Sequence, residues 1–316
     1  MKKLAVTFEL ITEAGLEKIE SVAPEYEVVQ LDPKDESIPQ CEIVFGWMSL
    51  EMIHQSTALK WLHTSFSGVD SLLKPESNFP KDVVLTNSAG TYGIAISEYL
   101  ITTTLMLMRK NMAYAKLQFQ NTWQPLGTMK AIYGSHICVV GLGDIGENYA
   151  QRCGALGAKV SGVVRQVRTT KPDAVDQLYT IDQLDEAIQD ADVVALCLPS
   201  TSETIGLFDE ARLNQMKPGA IILNVGRGTA IDTESLIAAL ESGHIGGAGL
   251  DVTEPEPLPA DSPLWQMDNV VITPHISANQ SEALTSQLIV DKFVRYLQDY
   301  VAGRRFERVV DKEAGY

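Results

Sequence analysis

The chain has few basic residues for its length. It holds 25 Lys and Arg against 41 Asp and Glu, a formal net charge of −16. A field of that sign repels phosphate backbones and argues against general nucleic-acid binding. It still admits a small anion, because a few basic side chains in a cleft can outweigh the global field. Cysteine is scarce too: Cys41, Cys138, Cys153 and Cys197 form no CxxC pair and no regular spacing. This argues against a structural zinc site or a disulfide framework, and no metal is expected. The thiols are those of a reduced, cytoplasmic protein. No apolar run approaches the ~18 residues of a membrane span, so no membrane partner is expected. After Lys2-Lys3 the N-terminus reaches Glu9 and Glu13 before a signal-peptide apolar stretch can form. Repeats, low-complexity tracts and obvious flexible linkers are also missing.

What is present is an alternation. Of 316 residues, 45% are apolar and 21% charged, the balance of a soluble globular protein. At roughly 150 residues per domain, two domains are expected. Apolar runs at Leu4–Thr7, Tyr26–Leu31, Ile43–Phe45, Leu62–Thr64 and Val83–Thr86 alternate with amphipathic stretches such as Glu13–Val22 and Leu50–Ala58. This βαβα order predicts an α/β fold with a parallel sheet covered on both faces. One unbroken helix is expected from Ile94 to Phe119, with Leu100, Thr104, Leu107 and Met108 on one face. A second series follows at Ile137–Val140, Val160–Val164, Val193–Leu198, Ile221–Val225, Gly249–Val252 and Val270–Thr273. Strands so uniformly apolar are buried on both faces. A last helix, Gln280–Ala302, is long enough to return to the first domain. The expected division is a first domain of 1–97 with a return segment 282–316, and a second, 98–281, inserted in it.

The segment Gly141-Leu142-Gly143-Asp144-Ile145-Gly146 follows the run Ile137–Val140 and opens a helical stretch, Glu147–Leu156. A GxGxxG motif alone is weak, but at a strand-to-helix turn within a βαβ unit it is a dinucleotide fingerprint. Gly141 permits the tight turn, Gly143 lets the backbone approach a pyrophosphate, and Gly146 lets helix and strand pack closely. The helix N-terminus then offers N–H groups and its positive dipole end to the anion. An NAD site carries Asp or Glu about 20 residues on, at the end of the next strand, to bind the ribose hydroxyls. Here that place holds Val164, followed by Arg165 and Arg168. Two guanidiniums can bind a 2′-phosphate. NADPH is expected in preference to NADH, which stays open as the second choice.

Three residues stand near the ends of later strands: Arg227 in Asn224-Val225-Gly226-Arg227-Gly228, Glu256 in Glu254-Pro255-Glu256-Pro257, and His275 in Thr273-Pro274-His275-Ile276-Ser277. The carboxyl ends of parallel strands share one crevice, so these side chains can converge on a nicotinamide. Glycine on both sides of Arg227 suggests close approach of the backbone to a ligand. On spacing alone Glu254 is as eligible as Glu256.

The order GxGxxG, NVGRG, GLDVxxxEP and TPHIS resembles the D-isomer-specific 2-hydroxyacid dehydrogenase family. Further matches are Phe66-Ser67-Gly68-Val69-Asp70, Asn87-Ser88-Ala89-Gly90 and Leu196-Cys197-Leu198-Pro199-Ser200-Thr201. The resemblance covers nearly the whole chain. It implies two doubly wound parallel-sheet domains, a Rossmann coenzyme domain inserted in a flavodoxin-like substrate domain, and a homodimer. It implies that a 2-oxo acid is reduced to the D-hydroxy acid. Arg227 would pair with the substrate carboxylate and polarise the ketone. His275 would donate the proton as imidazolium, a form that titrates near neutral pH, and Glu256, chosen by the family's EP pattern, would bond its other ring nitrogen. Cofactor contacts are implied at Asp144, Ile145, Pro199, Val225, Gly226, Asp251 and Ser277, besides the three glycines. The N–H groups of Ser67, Gly68 and Val69 would form a second carboxylate clamp.

The substrate's side chain is less legible. Trp47 and Met48, with Phe66 and Tyr92, can build an apolar wall for it, or can equally be core packing. Small substrates such as glyoxylate and hydroxypyruvate stay open by resemblance. The segment from Asn121 to Gly127 resembles the arm that family members wrap around a partner. A nucleotide-sensing binding protein on the same fold is the alternative to an enzyme.

Overall fold

The computed structural model describes residues 2–166, 168, 170–278, 280 and 282–315. The chain divides into two compact units, Met1–Tyr92 with Asn279–Tyr316, and Gly93–Ala278.

The first unit is built on β1 (Lys2–Val6), β2 (Tyr26–Gln30), β3 (Ile43–Gly46), β4 (Trp61–Thr64) and β5 (Val84–Asn87), with α1 (Glu13–Val22) and α2 (Leu50–Gln55) between strands. The sheet order is β2-β1-β3-β4-β5 and every pairing is parallel. This is a doubly wound order with its reversal between β1 and β3. Leu4, Ala5, Ile43, Val44, Phe45 and Leu62 are wholly buried, as expected of strands covered on both faces. Side-chain caps start the helices: Thr12 Oγ1 accepts from the Gly15 N–H, and Ser49 Oγ from the Met52 N–H. The return helix, Ala283–Val301 (α9, last in the chain), is capped by the Glu282 carboxylate. It sends Phe293 into the core, where the ring stacks on Phe45 at 4.1 Å between centroids and on Trp61 at 5.2 Å.

The second unit opens with α3 (Gly93–Met108) and α4 (Asn111–Phe119). It continues through β6 (His136–Val140), α5 (Asp144–Ala155), β7 (Lys159–Val164), β8 (Gln177–Thr180), α6 (Leu184–Ile188) and β9 (Val193–Leu196). It closes with α7 (Glu210–Gln215), β10 (Ala220–Asn224), α8 (Thr233–Glu241), β11 (Ile245–Leu250) and β12 (Val270–Ile272). The order β12-β11-β10-β9-β6-β7-β8 is parallel throughout. Read from β8, it is the 3-2-1-4-5-6 order of dinucleotide-binding sheets with β12 added at the edge. The winding reverses between β6 and β9, so the loops after these two strands flank the crevice where such sheets bind ligands.

Three sequence expectations change. The single helix over 94–119 is two helices. Lys110 lies between them in the left-handed region at φ 57°, with its Nζ on the Leu126 carbonyl at 2.7 Å. The division falls at Tyr92/Gly93 and Ala278/Asn279 rather than at 97/98 and 281/282, because α3 belongs to the second unit from its first residue. There the Gly93 N–H donates to the Asp144 carboxylate at 2.7 Å. An unforeseen edge strand, β8, is only four residues long and mixes polar with apolar side chains.

Candidate active site

The three motif glycines meet different surroundings. Gly141 has φ +100°, and a Cβ there would lie 2.6 Å from the Cys197 carbonyl oxygen. At Gly146 a Cβ would lie 2.1 Å from the Gly141 carbonyl oxygen, so helix and strand meet only because it is absent. At Gly143, the N-cap of α5, a Cβ would meet nothing within 4 Å, and no side chain caps the helix. The loop is thus tight beneath and open above, which suits the pyrophosphate of a dinucleotide at a helix N-terminus. The Asp144 carboxylate is occupied by the Gly93 N–H and by Asn148 Nδ2 at 3.2 Å. Across the crevice, Pro199 offers its carbonyl to Thr204 Oγ1 at 2.7 Å.

Both arginines beyond β7 lie against carboxylates. Arg165 Nε is 3.0 Å from Glu203 Oε2. Arg168 Nη1 is 2.6 Å from Glu147 Oε1, and its Nη2 donates to the Leu142 carbonyl.

Burial pushes the thiols of Cys138, Cys153 and Cys197 up to about 12, so none is a nucleophile at neutral pH. Among the described residues no cluster of His, Cys, Asp or Glu could hold a metal, and no helix is long and apolar enough to cross a membrane.

Arg227 lies in the turn after β10. The buried Asn224 side chain pins that turn, accepting from the Gly226 N–H at 3.0 Å and donating to the Arg227 carbonyl at 2.9 Å. Arg227 Nη1 returns to the Gly226 carbonyl at 2.7 Å. The flanking glycines correct the sequence reading, because what approaches them is protein backbone. A Cβ at 226 would lie 2.4 Å from the Leu198 carbonyl oxygen, and one at 228 would lie 1.9 Å from the Thr253 carbonyl oxygen. They let the Arg227 turn wedge between the loops that follow β9 and β11. Val225 is buried, with its N–H on the Leu196 carbonyl.

The Thr253 segment leads directly to Glu256, whose Oε1 is 2.7 Å from His275 Nδ1. An ionised carboxylate only accepts, so the bond fixes the proton on Nδ1 and leaves Nε2 as the exchanging atom. Both side chains remain partly exposed, at 45% for His275 and 43% for Glu256. Glu254 joins the loop through its backbone, where its carbonyl accepts from Thr233 Oγ1.

His275 has a left-handed backbone, φ 53°, uncommon for a residue with a Cβ. Asp251 holds it there. This carboxylate is 2% exposed and accepts from Thr273 Oγ1 at 2.6 Å and from the N–H groups of Ile276 at 2.8 Å and Ser277 at 3.0 Å. Its carbonyl also accepts from the His275 N–H at 2.8 Å. Tyr99 on α3 bonds Thr273 at 2.7 Å. Asn224 and Thr273 had no role of their own in the sequence reading, and Tyr99 was not singled out. An Asn ahead of Gly-x-Gly at a strand end was the available signal for the first, and a threonine at the end of β12 gave none.

In the first unit the loop after β4 turns its carbonyls inward. The Phe66 carbonyl accepts from the Ser88 N–H and the Ser67 carbonyl from Asn87 Nδ2. Among the described residues nothing accepts from the N–H groups of Ser67, Gly68 and Val69. Trp47 is partly buried and meets the exposed ring of Phe66 edge-on, centroids 6.1 Å apart. Met48 is wholly buried among the core residues of this unit, so its side chain offers no surface to a ligand.

The family model "D-isomer specific 2-hydroxyacid dehydrogenase, NAD binding domain" matches residues 101–277. The glyoxylate/hydroxypyruvate reductase A of Citrobacter koseri is 32% identical over 84% of this chain and 85% of its own length. A D-isomer specific 2-hydroxyacid dehydrogenase family protein from Aeromonas salmonicida superposes with a TM-score of 0.85 at 33% identity, over 98% of this chain and 99% of that one. The NADPH-dependent glyoxylate/hydroxypyruvate reductase of Sinorhizobium meliloti, solved with NADP and sulfate, gives 0.83 at 27% identity over both whole chains. The glycine loop at the sheet's reversal, the Glu256–His275 pair beyond it and these likenesses agree, and the chain belongs to the D-isomer specific 2-hydroxyacid dehydrogenase family, as an NAD(P)-dependent oxidoreductase.

Proposed function

We propose that the protein reduces a small 2-oxo acid, of the size of glyoxylate or hydroxypyruvate, to the D-2-hydroxy acid with NADPH. The observation that carries this reading is the 2.7 Å bond between His275 and Glu256 on a loop held by a buried carboxylate. The names of the relatives supply the substrate size. The open glycine loop suits the cofactor's pyrophosphate, and Arg165 and Arg168 are the groups for its 2′-phosphate.

A nicotinamide, when bound, would supply the hydride. Everything else falls to the side chains. Arg227 pairs its fork with the substrate carboxylate and draws charge from the ketone oxygen. His275 gives the proton on Nε2 to the developing alkoxide. Glu256 stabilises the imidazolium through Nδ1 and fixes its ring. The N–H groups of Ser67, Gly68 and Val69 are the substrate-carboxylate donors proposed for the first unit, and Trp47 is the apolar contact.

A homodimer is proposed through the segment after α4. Trp123 is fully exposed and Phe119 and Tyr133 are 86% and 82% exposed, and the same unit carries a cavity of about 520 Å³ lined by Met106, Met112 and Ile221. A partner subunit would cover such side chains. Light scattering should give twice the single-chain mass of 34.6 kDa.

The experiment is NADPH and NADH oxidation over glyoxylate, hydroxypyruvate, pyruvate, phenylpyruvate and branched 2-oxo acids, with chiral analysis of the products. Turnover of a free acid but not of its ester supports the Arg227 role. Cofactor binding without turnover across the panel supports a nucleotide sensor instead.

A further inference from the structure

β7 ends at the buried Val164, so the place where an NAD site holds its ribose-binding carboxylate is apolar. A carboxylate nevertheless reaches this neighbourhood from another loop. Glu203 lies in the turn after β9, and both its oxygens engage Arg165: Nε is 3.0 Å from Oε2 and Nη2 is 3.1 Å from Oε1. That two-pronged pair uses the donors a 2′-phosphate would need. We propose that Glu203 is a specificity-determining residue, competing with the 2′-phosphate of NADPH for Arg165 and offering its oxygens to the ribose hydroxyls of NADH. The proposal rests on the reading that Arg165 receives the 2′-phosphate.

The Arg165 and Glu203 side chains are 55% and 58% exposed, and an ion pair that open is weak enough for a phosphate to displace. The displaced carboxylate stays close to the phosphate and repels it. A ribose diol behaves oppositely, because each hydroxyl can donate to a carboxylate. One guanidinium–carboxylate pair thus presents donors to a phosphate and acceptors to a diol. Discrimination between the nucleotides is then milder than two arginines alone would give. Arg168 has a similar partner in Glu147, but Glu147 sits in the first turn of α5, beside the loop that suits the pyrophosphate shared by both nucleotides. Its charge should weigh on both nucleotides through the pyrophosphate, and on NADPH also through Arg168, so the internal control is NADH affinity, which only the loss of Glu203 should lower.

The test is the dissociation constants of NADPH and NADH for the full-length protein and its Glu203→Gln, Glu147→Gln and Arg165→Gln variants. Glu203 and Glu147 are exposed, so the glutamines keep the shape and remove only the charge. Glu203→Gln should raise the preference for NADPH over NADH about tenfold, with NADPH tightened and NADH weakened. Arg165→Gln should weaken NADPH about tenfold and spare NADH. Glu147→Gln should tighten NADPH without weakening NADH. If Arg165→Gln costs NADPH affinity while Glu203→Gln leaves the ratio unchanged, the proposal is overturned and the NADPH reading stands. If Glu147→Gln weakens NADH as much as Glu203→Gln does, the loss is not that of a ribose acceptor and the proposal is overturned. If Arg165→Gln leaves NADPH affinity intact, both fall together.

Discussion

His63 in the first unit and His275 in the second carry the same ring in opposite surroundings. His63 lies inside β4 with no exposed surface, among the rings of Phe45, Trp61 and Phe293. Its Nδ1 meets Thr86 Oγ1 at 2.6 Å, and burial, with a smaller push from Lys292, takes it from the ordinary 6.5 down to about 3. It stays neutral and serves packing. His275 is nearly half exposed, stands beyond the end of its strand and faces a carboxylate. The contrast shows that a histidine's use is set by its access to solvent and by the charge beside it. It also shows the cost of each arrangement: one ring resists protonation, and the other needs a buried aspartate to hold a left-handed backbone.

The largest expected break in this comparison is His275→Ala. Turnover of a 2-oxo acid should fall roughly 10²–10⁴-fold, the usual worth of a positioned proton donor. NADPH affinity by fluorescence titration should stay within about twofold, since no cofactor contact is assigned to the ring. Arg227→Lys comes next. It keeps the charge and loses the fork, so kcat/KM should drop about 10²-fold, seen in the same assay.

The acid response of the fold is expected to depend on His63. In the unfolded chain the imidazole protonates below about 6.5, whereas in the fold it resists protonation until about 3. Its contribution is therefore complete above 6.5 and fades as pH falls toward 3, at about 1.4 kcal/mol per pH unit. Urea unfolding at several pH values between 7.5 and 5 should show this slope, and His63→Asn should flatten it, whatever the variant loses in packing. An equal slope in both proteins would remove His63 from the acid response. The smallest effect is Thr273→Val, which cuts the link between Tyr99 and Asp251. One such hydrogen bond is worth about 1 kcal/mol, so turnover should fall roughly fivefold with the cofactor's dissociation constant unchanged.

The architecture was largely legible in the sequence because parallel strands covered on both faces are nearly all apolar. β6, β7, β9 and β10 differ from their expected spans by a residue or two. β8 escaped because an edge strand mixes polar and apolar residues. The helix break at Lys110 escaped for a different reason. No glycine or proline marks it, and what holds it is a contact with Leu126 that no local pattern encodes. At the site, Glu256 and His275 were legible as motif residues and the structure pairs them. The glycines beside Arg227 were legible as close approaches, but the sequence did not say to what; Leu198 and Thr253 come from other strands. Asp251 was expected at the cofactor. Its two oxygens are instead committed to Thr273, Ile276 and Ser277, because β11 and β12 are neighbours in register. Met48, expected at the substrate, proves to be core because it follows β3 into the covered side of its sheet.

The proposed function requires that one ring, His275 with Glu256 behind it, carry the proton in both directions. The direct measurement is the pH dependence of kcat/KM for reduction of a 2-oxo acid and for oxidation of its D-hydroxy acid, on one preparation. Reduction should fall about tenfold per pH unit on the alkaline side and oxidation about tenfold per pH unit on the acid side, both governed by one group. Profiles that are flat, or that fall on the same side in both directions, would contradict it.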